Sequence, residues 1–231
     1  MARKRSARKR LPLDGMLGVL TALIALSAPL EASAGFIGIT DARSISATFN
    51  EPIVSCVQSA SATAASPFSA WSDEATVCEG LAYAIQNSSF SATRLEGSGD
   101  ANLPQGGSPP KDLSTSTYDI TFDVDTATPF SLTGALDKFG VGSSSISLTG
   151  ETEIFGFSAS YSYQHQPFAT SGVLDPGRYQ LLVRADSSAD IEAFQFELQA
   201  IPEPQSLLLL GAGLAMLACR RHRQLSTYRI P

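Results

Sequence analysis

Between residues 35 and 200 apolar and polar side chains alternate with a period of two. The cleanest run is Tyr118 to Asp125, where Tyr118, Ile120, Phe122 and Val124 share one face and Asp119, Thr121, Asp123 and Asp125 the other. A sheet with one buried and one wet face produces this pattern. The same period runs through Ile45, Ala47 and Phe49, then Leu81, Tyr83 and Ile85, then Phe155, Phe157, Ala159, Tyr161 and Tyr163. It returns in Tyr179, Leu181, Val183 and Ala185, and in Phe194, Phe196, Leu198 and Ala200. Pro52 to Ser59, Ser89 to Leu95, Phe130 to Leu136 and Ser145 to Thr149 read as further strands. Small and polar stretches punctuate them. Ala60 to Ser69 reads as a loop, Gln86-Asn87-Ser88 as a turn, and the Gly- and Pro-rich stretch Glu96 to Ser114 as the longest loop. Asp175-Pro176-Gly177 is a turn with a mechanism, since proline presets φ and glycine accepts a positive φ. No amphipathic helical period of useful length intervenes. Eight to ten strands without helices predict an all-β antiparallel β-sandwich, jelly-roll-like, over residues 35–200.

The two ends break this pattern in different ways. Arg3, Lys4, Arg5, Arg8, Lys9 and Arg10 precede an apolar stretch from Met16 to Leu30, and Ala32-Ser33-Ala34 stands before Gly35. A basic region, an apolar region and a small-x-small site form a secretory signal peptide. Residues 1–34 are therefore expected to be removed by signal peptidase between Ala34 and Gly35. At the other end, Pro202-Glu203-Pro204 cannot lie inside a helix, because each proline lacks an N–H and fixes φ. Ser206 to Cys219 then carries no charge, and Arg220, Arg221, His222 and Arg223 follow at once. Fourteen helical residues span about 21 Å, short of a hydrocarbon core of about 30 Å. Starting at Pro204 and letting Arg220 and Arg221 snorkel narrows the gap. The expectation is a transmembrane helix over 204–219 with a basic stop, its C-terminal side and the short tail 224–231 in the cytoplasm.

Pro202-Glu203-Pro204, the Leu/Gly/Ala stretch and the arginine cluster, in that order, resemble the PEP-CTERM sorting signal of Gram-negative bacteria. The resemblance covers residues 201–223. It implies recognition by an exosortase, a membrane-embedded cysteine protease or transpeptidase, and a protein exported and associated with exopolysaccharide or biofilm matrix. It implies inner-membrane anchoring with the domain outside the cytoplasm, followed by release to the surface or matrix.

Removing both ends changes the charge picture. The whole chain is formally −6, but residues 35–219 hold six basic and twenty acidic residues, a charge of −14. That excludes nucleic acid and anionic lipid as partners of the exported surface. Cys56 and Cys78 form an even pair in an oxidising compartment, and the expectation is a disulfide closing a loop of about 22 residues. Two free buried thiols are the alternative.

Candidate chemistry is sparse, and no catalytic residue or cofactor is assigned. His165 is the sole exported histidine, so any Ser-His-Asp or Cys-His arrangement would need it. Glu151 and Glu153 would share a face on a strand, as a glycosidase pair or as solvated carboxylates. Asp119, Asp123 and Asp125 line one strand face and are a weak calcium candidate, a solvated acidic face being the better reading. Trp71, Tyr161 and Tyr163 could stack on sugars or fill the core. Asn87-Ser88-Ser89 matches a glycosylation sequon. The expected role is structural or adhesive and non-catalytic, with a carbohydrate-binding module on exopolysaccharide as the alternative and a polysaccharide hydrolase behind it.

Overall fold

The computed structural model describes residues 35–51, 56–103, 112–159 and 163–201. The signal segment, the sorting motif, the apolar C-terminal stretch and Tyr161 lie outside the described residues. Among the described residues twelve strands follow in order: β1 Phe36–Asp41, β2 Ser44–Glu51, β3 Cys56–Thr63, β4 Trp71–Val77, β5 Ala82–Phe90 and β6 Arg94–Leu103. Then come β7 Leu113–Val124, β8 Thr128–Lys138, β9 Val141–Thr149, β10 Glu153–Ser158, β11 Gln164–Leu174 and β12 Gly177–Ala200. All pairings are antiparallel. Among the described residues no helix is long and apolar enough to cross a membrane.

The strands form one continuous sheet folded into two leaves, and β12 is the fold line. Its first half, from Gly177, lies between β7 and β9; its second half, to Ala200, lies between β6 and β8. In the first leaf β1 and β2 succeed each other along β7, with β3 at one edge and β10 at the other. In the second leaf the order is β4, β5, β6, β12, β8, β11. The β8–β9 connection passes from the second leaf to the first beside the β12 bend, so two arches stand side by side. The bend is local chemistry. The register shifts between Ser187 and Ala189, Asp190 takes φ 66°, Ser187 Oγ donates to Asp190 O at 2.5 Å, and Ser188 Oγ donates to Val141 O at 2.5 Å.

The core follows from the alternation. Tyr118, Ile120 and Phe122 of β7 are fully buried against Leu181 and Val183, and across the leaves against Leu132, Phe194, Phe196 and Leu198. Tyr118 meets Phe196 edge-on with centroids 4.7 Å apart. A second cluster gathers Ile45, Ala47, Phe49, Val77 and Leu103. Both side edges are closed between leaves. Phe168 of β11 packs 5.7 and 5.6 Å from Phe155 and Phe157 of β10, and a Cys56–Cys78 disulfide joins β3 to the short turn after β4, Cα atoms 6.0 Å apart.

Several segments differ from the sequence reading, among them the strand placed at Ser89 to Leu95, which a tight turn from Ser91 to Arg94 divides between β5 and β6, and the described residues hold twelve strands where eight to ten were expected. β3 continues to Thr63, taking the first residues of the loop placed at Ala60 to Ser69. The turn placed at Gln86-Asn87-Ser88 lies inside β5, because Gln86 is buried in a polar network instead of facing water. The described part of the loop placed from Glu96 to Ser114 is largely strand: β6 runs through Gly97 and Gly99, which lie under the rings of Phe196 and Phe194. The stretches Tyr179–Ala185 and Phe194–Ala200 are one strand, bent at the polar residues between them.

Candidate functional site

The C-terminal exit is built by the turn between β5 and β6. Ser91 and Arg94 bond each other across it, Ser91 N–H to Arg94 O at 2.7 Å and Arg94 N–H to Ser91 O at 3.4 Å. The two carbonyls inside the turn hold both connections of the domain: Phe36 N–H donates to Ala92 O at 2.6 Å and Ala200 N–H to Thr93 O at 2.9 Å. Ile201 N–H donates to Pro129 O at 2.8 Å, one residue before Pro202. Arg94 fastens β6 to β12 beside this exit, 2.6 Å from Glu96 and 3.0 Å from Glu197. Gly35, on the mature side of the expected signal cleavage, is buried at this same end.

The outer face of the second leaf gathers polar side chains distant in sequence. Ser72, Asn87, Ser98 and Gln195 stand directly opposite one another across four strands, and with Ser89 and Glu96 they border an open cavity of about 560 Å³. Ser72 Oγ donates to Asn87 Oδ1 at 2.5 Å and Ser89 Oγ to Glu96 Oε1 at 2.9 Å. The neighbouring row is Asp100, Ala193, Asp137, His165. His165 Nδ1 lies 2.7 Å from Asp137 Oδ1, and burial followed by the charge of Asp137 raises the pKa of Asp100. Asp100, Asp137 and His165 come from three strands, and no spacing in the sequence joins them. This face offers hydroxyl, amide and carboxylate groups to a polar ligand.

The sequence candidates separate. Asp123 is bidentate with Arg178, at 2.8 and 3.1 Å, and hydrogen bonds from Arg178 lower its pKa. Asp119 accepts from Gln180 Nε2 at 2.7 Å, and Asp125 lies beyond the strand in an exposed turn. Among the described residues no group of three His, Cys, Asp or Glu is placed to hold a metal ion. Glu151 lies in the turn before β10 and Glu153 begins that strand, so the two do not share a strand face. Trp71 and Tyr163 stand at opposite edges of the second leaf, separated by five strand spacings or about 24 Å across the sheet alone. Tyr163 is exposed, whereas Trp71 packs on the second core cluster and covers the Arg43 guanidinium, 6.0 Å from its centroid.

Beneath Trp71 lies a buried ion pair that the strand pattern did not single out. Arg43 donates through Nε to Asp41 Oδ1 at 2.8 Å and through Nη2 to Asp41 Oδ2 at 2.6 Å. It reaches Ser88 Oγ at 3.0 Å and Ser69 O at 2.8 Å, and Phe68 N–H donates to Asp41 at 2.7 Å. Burial alone would raise the Asp41 pKa, but the hydrogen bonds from Arg43 and the amides of Phe68 and Arg43 outweigh it, and the net shift is downward. Gln86 extends the network from Ser88 to Ser116 at 3.4 Å each. This is a satisfied structural network that ties β1 and β2 to β5, not an open site.

The all-β domain ends at Ala200, and a C-terminal sequence with the features of an address follows at once. That address is the PEP-CTERM protein-sorting motif, which residues 200–224 match. The motif implies an exported, membrane-anchored protein with an exosortase as its processing enzyme. A comparison with curated proteins gives no match. Among solved structures, the chain is similar to the enzymatically active domain of bacteriophage CBA120 tailspike protein 4, with 13% identity and a TM-score of 0.33 over 57% of this chain and 19% of that one. It is similar to the C-terminal CBM6 of LamC from Zobellia galactanivorans, at 9% identity and TM-score 0.25, covering 42% and 83% of the two chains. It is also similar to TmCBM61 in complex with beta-1,4-galactotriose, at 10% and 0.29, covering 52% and 71%.

Proposed function

We propose that this protein is a membrane-tethered, non-catalytic matrix component. In this reading residues 35–200 form a jelly-roll-like sandwich, delivered by a cleaved signal peptide and held by a transmembrane helix at 204–219 until an exosortase acts near Pro202 to Pro204. The observation that carries the reading is the handover at Ala200. The central strand of both leaves ends in hydrogen bonds to Thr93 and Pro129, and the matched motif begins at the same place. The address is thus attached to the best-paired strand of the domain. Deleting 202–223 tests it: the deletion protein should leave the membrane fraction and appear in the medium. Equal amounts of deleted and full-length protein in the membrane fraction would sink the anchor.

A second reading, glycan binding, is favoured by the row Ser72, Asn87, Ser98 and Gln195 beside the cavity of about 560 Å³. These neutral donors and acceptors suit hydroxyl groups of exopolysaccharide better than charged ligands. A glycan array probed with the purified protein tests it, and a uniformly flat response removes it.

A further inference from the structure

The chain enters and leaves the domain at one end. Phe36 and Ala200 bond consecutive carbonyls of one turn, Ala92 and Thr93, although 164 positions separate them in sequence. The turns Asp125–Ala127 and Asp175–Pro176 lie at this end as well, because Phe36 and Gly177 both pair with Val124 and Leu174 pairs with Thr128. The opposite end holds the two arches, the β8–β9 connection with Phe139 and Val141 and the β12 bend. β8 runs from one end to the other in 11 residues, so the ends are about 30 Å apart.

Little chain remains between the fold and the apolar stretch. Ile201 is still bonded to Pro129, and Ser206 begins the uncharged run. The five residue-to-residue steps from Ile201 to Ser206, fully extended, reach at most about 18 Å. The tether is shorter than the domain is long. The exposed Asp125 and the nearby Asp175 keep this end out of hydrocarbon, so it stands on the headgroup layer without embedding.

We propose that the end formed by Ala92, Thr93 and the turns Asp125–Ala127 and Asp175–Pro176 is the membrane-facing surface of the anchored protein, and that the arch end points away from the bilayer. This rests on the anchor reading above and adds a direction to it. One consequence is that both processing points, Gly35 and Pro202, are presented to membrane-bound enzymes from the same side.

The test uses the full chain with Cys219→Ala, leaving Cys56 and Cys78 bonded to each other. Single cysteines at the exposed positions Ala92, Thr126 and Val141 are labelled with a fluorophore, and each protein is reconstituted into vesicles carrying nitroxide-headgroup lipid. Quenching should be several-fold stronger from Ala92→Cys and Thr126→Cys than from Val141→Cys. Quenching at Val141→Cys that equals or exceeds the other two overturns the orientation while leaving the anchor intact. Weak, uniform quenching on vesicle-bound protein also overturns it. Failure of the protein to co-float with vesicles overturns the anchor and the orientation with it.

Discussion

Glu192 gives the arch a pH dependence that a single substitution should remove. Its side chain is fully buried just below the β12 bend, where Gly142 leaves it room: a Cβ there would lie 2.7 Å from Glu192 Cγ. Neither carboxylate oxygen has a hydrogen-bond partner of good geometry among the described residues. Burial pushes its pKa from 4.5 up to about 7; the Gly140 amide and Lys138 oppose that rise and Asp190 adds to it. Between these two values the folded state holds a proton that the unfolded state releases. The contribution of the neutral acid is therefore complete below about pH 4.5, falls as pH rises and is gone above about pH 7. At 1.36 kcal/mol per pH unit the loss amounts to about 3 kcal/mol.

Glu192→Gln keeps the size and neutrality but cannot ionise. Thermal unfolding of both proteins, followed by near-ultraviolet circular dichroism from pH 5 to pH 8, isolates the effect, because every other titrating group cancels in the difference. In a domain of this size 1 kcal/mol moves Tm by about 2–4 °C. About 2.5 kcal/mol of the loss falls between pH 5 and pH 8, so the variant should gain roughly 5–10 °C on wild type over that range. Parallel curves for the two proteins would refute the reasoning, and a widening gap in favour of wild type would reverse its sign.

Two further substitutions probe packing and closure. Gly99→Ala would press a methyl group onto Ser116 Oγ and to 2.6 Å from Phe194 Cζ, and it should cost about 1–3 kcal/mol in urea unfolding, with an unchanged midpoint as the contrary result. Reducing the Cys56–Cys78 bond, or Cys56→Ser with Cys78→Ser, frees a loop of 22 residues and should lower stability by about 3 kcal/mol, which calorimetry with and without reductant would detect.

What could be read from the sequence was what neighbours in sequence decide. Tyr118 to Val124 alternates because each residue's face is fixed by its position on one strand, and those side chains are buried as that pattern implies. The sorting motif is contiguous and needs no fold to be recognised. What failed needed distant partners. Gly97 and Gly99 look like loop residues until Phe196 and Phe194, nearly a hundred positions later, lie across them. Gln86 and Ser88 look like a turn until Arg43 and Ser116 supply their hydrogen bonds. Asp186 to Asp190 looks like a break because four of its five side chains are polar, yet the backbone pairs with β9 and β6 on either side of the bend. The row Asp100, Asp137, His165 exists through register alone.

The direction of the tether also depends on that bend. β12 starts at the turn after Asp175, climbs the first leaf to Ser187 and descends the second leaf to Ala200. Had the strand stopped at Ser187, the chain would leave beside the arches, and the same short tether would turn that end toward the membrane. The stretch from Asp190 to Ala200 thus does two jobs. It places Phe194, Phe196 and Leu198 at the centre of the second leaf, and it returns the chain to the end where Phe36 entered. Packing and presentation are coupled through one strand. Peeling β12 back from Ala200 would strip β6 and β8 of their common partner, so the fold itself opposes any pull on the tether.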